Sequence, residues 1–250
     1  MQKVFIVLFV LSGALLQAQN RPRYQPYAMI ELFTSQACAS CPPAHEKIEN
    51  ILADSSFCND SVFLLSFHVD YWDDLGWKDP FSKASYTIRQ QEYQAKLGGE
   101  SVYTPMLVVN GKSGFSGNND VRLRRELNSL RKTAVIESVG LIIQSIKTEG
   151  DKLIFSYSCK PEVRNMSIHA ALVSKSDSTL VESGENEGLQ LVSTNTVRAF
   201  VKLPLRVEGS RAYLKIPEGI DLENLNVVFW VQSGQDGGVM DIQVFPIVDF

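Results

Sequence analysis

Glu31-Leu32-Phe33-Thr34-Ser35-Gln36-Ala37-Cys38-Ala39-Ser40-Cys41-Pro42-Pro43 is the stretch on which the reading of this chain turns. The run Ala28 to Phe33 before it is short, mostly apolar and of strand length. After the cysteines, Pro42 and Pro43 stand where a helix tolerates a missing N–H, and Ile48, Ile51 and Leu52 face a core. A helix is therefore expected from about Cys38 to Ala53. Unpaired N–H groups and the positive end of a helix dipole favour a thiolate, lowering a cysteine pKa from about 8.5 into the range ~3.5–7.5. Cys38 faces that helix mouth more openly, so it is read as the attacking nucleophile and Cys41 as the resolving thiol. A bridge across two residues restrains the unfolded chain little, so reactivity explains the pair better than stability does. A structural disulfide and a zinc half-site stay open as alternatives. Zinc would need a second ligand pair at matching spacing, and the sequence holds no other C-x-x-C and no H-x₃-H.

Working outward, Val62 to Val69 is nearly continuous in apolar residues, as expected of a strand covered on both faces. It runs into His68-Val69-Asp70-Tyr71-Trp72-Asp73. Asp79 is expected to cap a helix that starts at Pro80 and stops at Gly98. Thr104-Pro105 precedes a strand, Met106 to Val109, and Asn110-Gly111 turns the chain back through Lys112 to Phe115. Asn119 or Asp120 then caps a helix carrying Val121, Leu123, Leu127 and Leu130. From Val135 the texture changes to segments without a clear helix: Lys152 to Cys159, Met166 to Val173, Arg198 to Leu203, Ala212 to Ile216 and Val227 to Val231. The expected organisation is an α/β domain over 28–134 and an all-β, sandwich-like domain over 135–250.

His68 and Asp70 are candidates to move the proton that Cys41 must lose. The alternative is a hydrogen-bonded core histidine beside surface caps, the reading preferred for Asp73. Trp72, Trp77 and Tyr103 either floor a peptide groove or simply pack. His45 lies about two helical turns, ~10 Å, beyond Cys38 and is read as a solvated helix residue. Cys58 and Cys159 either staple the two halves or remain buried thiols, the latter preferred. Glu185, Asn186 and Arg198 either cover the redox face or belong to a surface loop.

The 250 residues are 44% hydrophobic, enough for a core without disulfide staples, and carry a formal charge of −4 with no basic tract. Nucleic acid is therefore an unlikely partner class. Lys3, the uncharged run Val4 to Leu16 and the small residue Ala18 read as a signal peptide over 1–18, followed by a lead-in over 19–27. That run has 13 residues, short of the roughly 20 that cross a bilayer. The mature chain is expected to be exported to the periplasm, cell envelope or medium, with no membrane span.

Glu31 to Ser35, Cys38-x-x-Cys41-Pro42-Pro43, His68 to Asp73, Gly76-Trp77-Lys78-Asp79-Pro80-Phe81 and Val102-Tyr103-Thr104-Pro105 together resemble a secreted thioredoxin-like family catalogued as domain of unknown function 1223. Gly184-Glu185-Asn186 and Asn195 to Arg198 resemble its C-terminal motif. The resemblance implies the fold and export, and no established biochemical role. This chain has Ala37 where the family commonly has glycine. In the thioredoxin arrangement a cis-proline sits against the disulfide, with substrate backbone pairing beside it; Thr104 and Pro105 occupy that place and a cis bond is expected. The functional expectation is disulfide exchange with protein or peptide thiols and disulfides, without an organic cofactor. The rivals are a Cu(I) module using Cys38, Cys41 and His68, and a non-catalytic interaction module.

Overall fold

A computed structural model describes residues 26–57, 61–133, 139–160, 165–206 and 209–247. The expected signal peptide, nearly all of the lead-in, the junction at 134/135 and Cys58 lie outside the described residues. Among the described residues no helix is long and apolar enough to cross a membrane.

The architecture is mixed α/β, with one large mixed sheet and a smaller second sheet. The first half runs β1 (Ala28–Thr34), α1 (Cys41–Leu52), β2 (Val62–His68), α2 (Ala84–Leu97), β3 (Met106–Val109), β4 (Ser113–Ser116) and α3 (Asp120–Thr133). The second half supplies β5 (Ile142–Glu149), β6 (Lys152–Ser158), β7 (Met166–Leu180), β8 (Gln190–Pro204), β9 (Ser210–Lys215), β10 (Leu225–Ser233) and β11 (Val239–Pro246). The large sheet has the order β11-β10-β7-β8-β2-β1-β3-β4, and β5-β6-β9 form the second. Strands of the second half thus extend the sheet begun by the first, where the sequence suggested an all-β unit of its own.

Period-two alternation explains how the sheet is covered. Met29, Phe33, Phe67, Val228 and Trp230 face a cluster that includes Tyr86 and Tyr93 of α2. Ile30, Leu32 and Leu64 face the opposite way, towards Ile48 and Ile51 of α1 and Leu123 and Leu127 of α3. Further along that sheet, Leu172, Val227 and Phe229 meet Leu153 and Phe155 of the small sheet. Both faces are dry, which is why the central strands read as continuous apolar runs.

Glu31 stands on the α2 side of β1 and is only 1% exposed. Arg89 of α2 grips it with two hydrogen bonds of 2.5 and 2.8 Å. Tyr93 adds its hydroxyl to the same carboxylate. The guanidinium lies 5.0 to 5.5 Å from the rings of Phe67, Tyr93, Phe200 and Trp230. It also meets Nδ1 of His169 at 3.2 Å, and burial pushes that imidazole well below its usual pKa, leaving it neutral to accept. One buried cation therefore joins β1, α2 and strands of the second half.

The helix expected from Pro80 begins at Ala84, with Lys83 at its N-cap. Asp79 is not its cap. Its carboxylate is turned inward and taken by groups of the site described next.

Candidate functional site

β1 and β2 run parallel, with Thr34 opposite His68 at their C-terminal ends. The chain leaves β1 through Ser35-Gln36-Ala37 and enters α1 at Cys41, three residues later than expected, because Cys38-Ala39-Ser40 form a turn. The N–H of Cys38 donates to the carbonyl of Ser35 (3.3 Å) and that of Cys41 to the carbonyl of Cys38 (3.1 Å). Pro follows at once inside α1, where no N–H is missed.

Cys38 and Cys41 are free thiols whose sulfurs lie 2.6 Å apart. The hydrogen bond from Cys41 is the largest influence on Cys38. Burial opposes it, but the hydroxyls of Ser40 and Thr104 and the Ser40 N–H add to it, and the Cys38 pKa falls to about 6. Burial, followed by its bond to Cys38, pushes the Cys41 thiol far above the usual range. One sulfur is held as a thiolate and its neighbour as the proton carrier. The Thr104–Pro105 bond is cis, and Pro105 is buried.

His68 is 3% exposed, and its Nδ1 meets the Asp79 carboxylate at 2.7 Å. Burial alone would raise Asp79. His68 beside it and the N–H groups of Gln36 (2.8 Å) and Phe81 (2.9 Å) bring the carboxyl below its ordinary range instead. An ionised Asp79 therefore accepts from Nδ1–H, fixing the tautomer and turning the other ring nitrogen away. Asp70, the other candidate proton carrier, is engaged elsewhere: its carboxylate accepts from Thr87 Oγ1 of α2 at 2.5 Å. Asp73 behaves as a cap, accepting from Ser82 and from the Asp79 N–H.

A cavity of about 320 Å³ opens between α1 and the first residues of β8, lined among others by Gln36, Cys41, His45, Glu46, Glu49 and His68. His45 is not the solvated residue expected from its spacing. Its side chain is 12% exposed, because β8 covers this face of α1, and its Nδ1 lies 3.6 Å from Glu49. Burial lowers its pKa. Cys38, Cys41 and His68 do not converge as a ligand set, and no group of three His, Cys, Asp or Glu suited to a metal occurs among the described residues.

The aromatics divide. Trp77 donates at 3.2 Å to Oε1 of Gln36, two residues before Cys38. Trp72 packs on the α2-side core. Tyr103 is 38% exposed, and its carbonyl accepts from Gln90. From the far half of the chain, Asn186 donates through Nδ2 to the carbonyls of Gln36 (2.7 Å) and Cys38 (3.1 Å). Glu185 accepts the Ala39 N–H at 3.0 Å. Arg198 lies away from this turn, paired with Asp177 at 3.0 Å and stacked on Phe81. Cys159 is buried, which pushes its thiol up.

Residues 29–232 match the family model described as "Protein of unknown function (DUF1223)". No curated protein matches the chain. Among solved structures, the X-ray structure of an Agrobacterium tumefaciens protein is similar in fold, with 22% identity and a TM-score of 0.62 over 89% of this chain and 94% of that one. A DUF3823 family protein from Bacteroides ovatus has 15% identity and a TM-score of 0.25 over 42% of this chain and 53% of that chain, too little for any argument.

Proposed function

We propose that this chain, which belongs to the DUF1223 family through the match over residues 29–232, is an exported, thioredoxin-like thiol-disulfide exchange protein acting on polypeptide thiols and disulfides. The observation that carries this reading is the asymmetry of two adjacent sulfurs. Cys38 is drawn down to about 6 while its neighbour Cys41, 2.6 Å away, is pushed up. Exchange needs that division of labour. A Cu(I) site would instead call on both sulfurs as thiolates, whereas Cys41 is held protonated.

The Cys38 thiolate attacks one sulfur of a substrate disulfide. The substrate S–S bond breaks, its other sulfur departs as a thiolate and takes a proton from solvent, and a Cys38–substrate disulfide forms. Cys41 then gives its proton to the second nitrogen of His68 and attacks the Cys38 sulfur. The Cys38–Cys41 disulfide forms as the remaining substrate sulfur leaves and is reprotonated. Two electrons pass from the protein dithiol to the substrate, and the reverse sequence oxidises a substrate dithiol. Asp79 is a positioning residue, holding the His68 tautomer. Residues 1–18 would direct export, and Thr104 and Pro105 would present backbone to the substrate.

Expressing Cys41→Ser with its leader and separating the products by non-reducing electrophoresis tests the reading. Reducible adducts that vanish when Cys38 is also replaced are expected. Their absence, with Cu(I) binding by wild type that His68→Ala abolishes, would favour the metal module.

A further inference from the structure

The cavity beside Cys41 has a chemical character that exchange alone does not require. Gln36 is 3% exposed, and the indole N–H of Trp77 donates to its Oε1, which fixes the orientation of the amide. Its Nε2, a donor, is buried without a hydrogen-bond partner. Nε2 of His45 is likewise buried and unpartnered. Nδ1 of His45 lies 3.6 Å from the Glu49 carboxylate, which also accepts from the Thr194 hydroxyl at 2.7 Å. Glu46 and Glu49 add two carboxylates, and no Lys or Arg lines the space. Inside the protein such unmet groups cost stability unless a ligand or water satisfies them. The site thus asks for a ligand rich in N–H donors, positively charged, with one acceptor.

We infer that this cavity receives a lysine or arginine side chain of the substrate polypeptide, placed near the cysteine being exchanged. The cationic head donates to Glu46 and Glu49, and a backbone carbonyl of the same segment accepts from Gln36 Nε2. The volume of about 320 Å³ is at the small end of ligand pockets, suited to one side chain with its flanking backbone and not to a larger cofactor. A bound cation next to Cys41 also favours its thiolate. The occupant thereby assists the resolving step, in which Cys41 loses its proton and attacks the Cys38–substrate disulfide. The kinetic half of this inference rests on the exchange reading, and the binding half does not.

The test has two arms. In the first, reduced protein is given disulfide-bonded peptides that differ only in Arg or Glu beside one cysteine. The Arg peptide is expected to be turned over about 10-fold faster in kcat/KM, and the ratio to fall below about 2-fold in the Glu46→Gln/Glu49→Gln variant, whose fold is checked by circular dichroism. In the second, NMR follows the His45 ring and the Gln36 side-chain amide of the Cys38→Ser protein. The probes are the peptide with serines in place of cysteines, its Glu counterpart, and agmatine. The Arg peptide should shift both signals and the Glu peptide neither, with agmatine binding more weakly than the peptide. Arg-peptide binding without any exchange activity would leave the pocket standing and remove the exchange reading. Active exchange with equal rates for both peptides and no shifts would overturn the pocket alone. Agmatine binding as tightly as the peptide would overturn the polypeptide source.

Discussion

Cys38 and Cys41 share a turn, yet their thiols are pulled apart because Cys41 donates its hydrogen bond to Cys38 while burial pushes Cys41 itself up. Since the thiolate is the reactive form, alkylation of Cys38 by iodoacetamide should rise with pH through about 6 and level off above it. A midpoint near 8.5 would show that the turn does not activate this thiol. In the proposed exchange, the second step is assigned to His68. His68→Ala should lengthen the life of the mixed disulfide on the order of 100-fold and steepen its pH dependence, because hydroxide must then take the Cys41 proton. An unchanged second step would return His68 to a purely structural role. The two cysteines were legible from their spacing between a strand and a helix. The acid behind His68 was not. Asp79-Pro80 has the pattern of a helix start, and only the tertiary placement of Gln36 and Phe81 turns the carboxylate inward. His45 was misplaced for a similar reason: helical spacing gives a distance from Cys38, but not the presence of β8 over that face.

At the scale of elements, the loop joining β7 to β8 reaches across the molecule to hold the turn that carries the cysteines. Gly76 and Gly184 permit the approach, both at positive φ, and a Cβ on Gly76 would stand 3.3 Å from Cα of Gly184. Cys38 is 1% exposed beneath this arrangement. Asn186→Ala removes both bonds from Nδ2 to the carbonyls of Gln36 and Cys38. It should lower stability by about 1–2 kcal/mol in urea titration and speed the alkylation of Cys38. Slower or unchanged alkylation would mean that the loop does not restrain the turn. Glu185 and Asn186 stood out as polar residues, but a link across roughly 150 positions has no local signature. β5 and β11 escaped the strand reading for a different reason. A register shift between Ile143 and Ser145 breaks the alternation of β5, and Asp241 at φ 50° interrupts β11 after a Gly pair.

For the whole molecule, the strands were far easier to read than their sheet. Periodicity marks β7, β8 and β10 as strands, but nothing in it says that β8 lies beside β2, where Ser66 pairs with Thr196. Glu31 and Arg89 are the buried pair that helps to hold this arrangement together. Arg89→Met should cost about 3–5 kcal/mol, since it leaves the Glu31 carboxylate buried without its partner, whereas Arg89→Met/Glu31→Gln should recover much of the loss. Chemical denaturation of the three proteins checks this, and equal instability of both variants would mean that packing around Arg89 matters more than its charge. The ion pair serves the fold, while the central claim concerns the two sulfurs that this fold brings together. The most direct test equilibrates the protein in buffers of graded thiol and disulfide, quenches with acid and counts free thiols by mass after alkylation. Cys38 and Cys41 should change state together in one two-electron transition, fully reversible and absent from Cys38→Ser. Two thiols that stay unmodified and unbridged in every buffer would contradict the account.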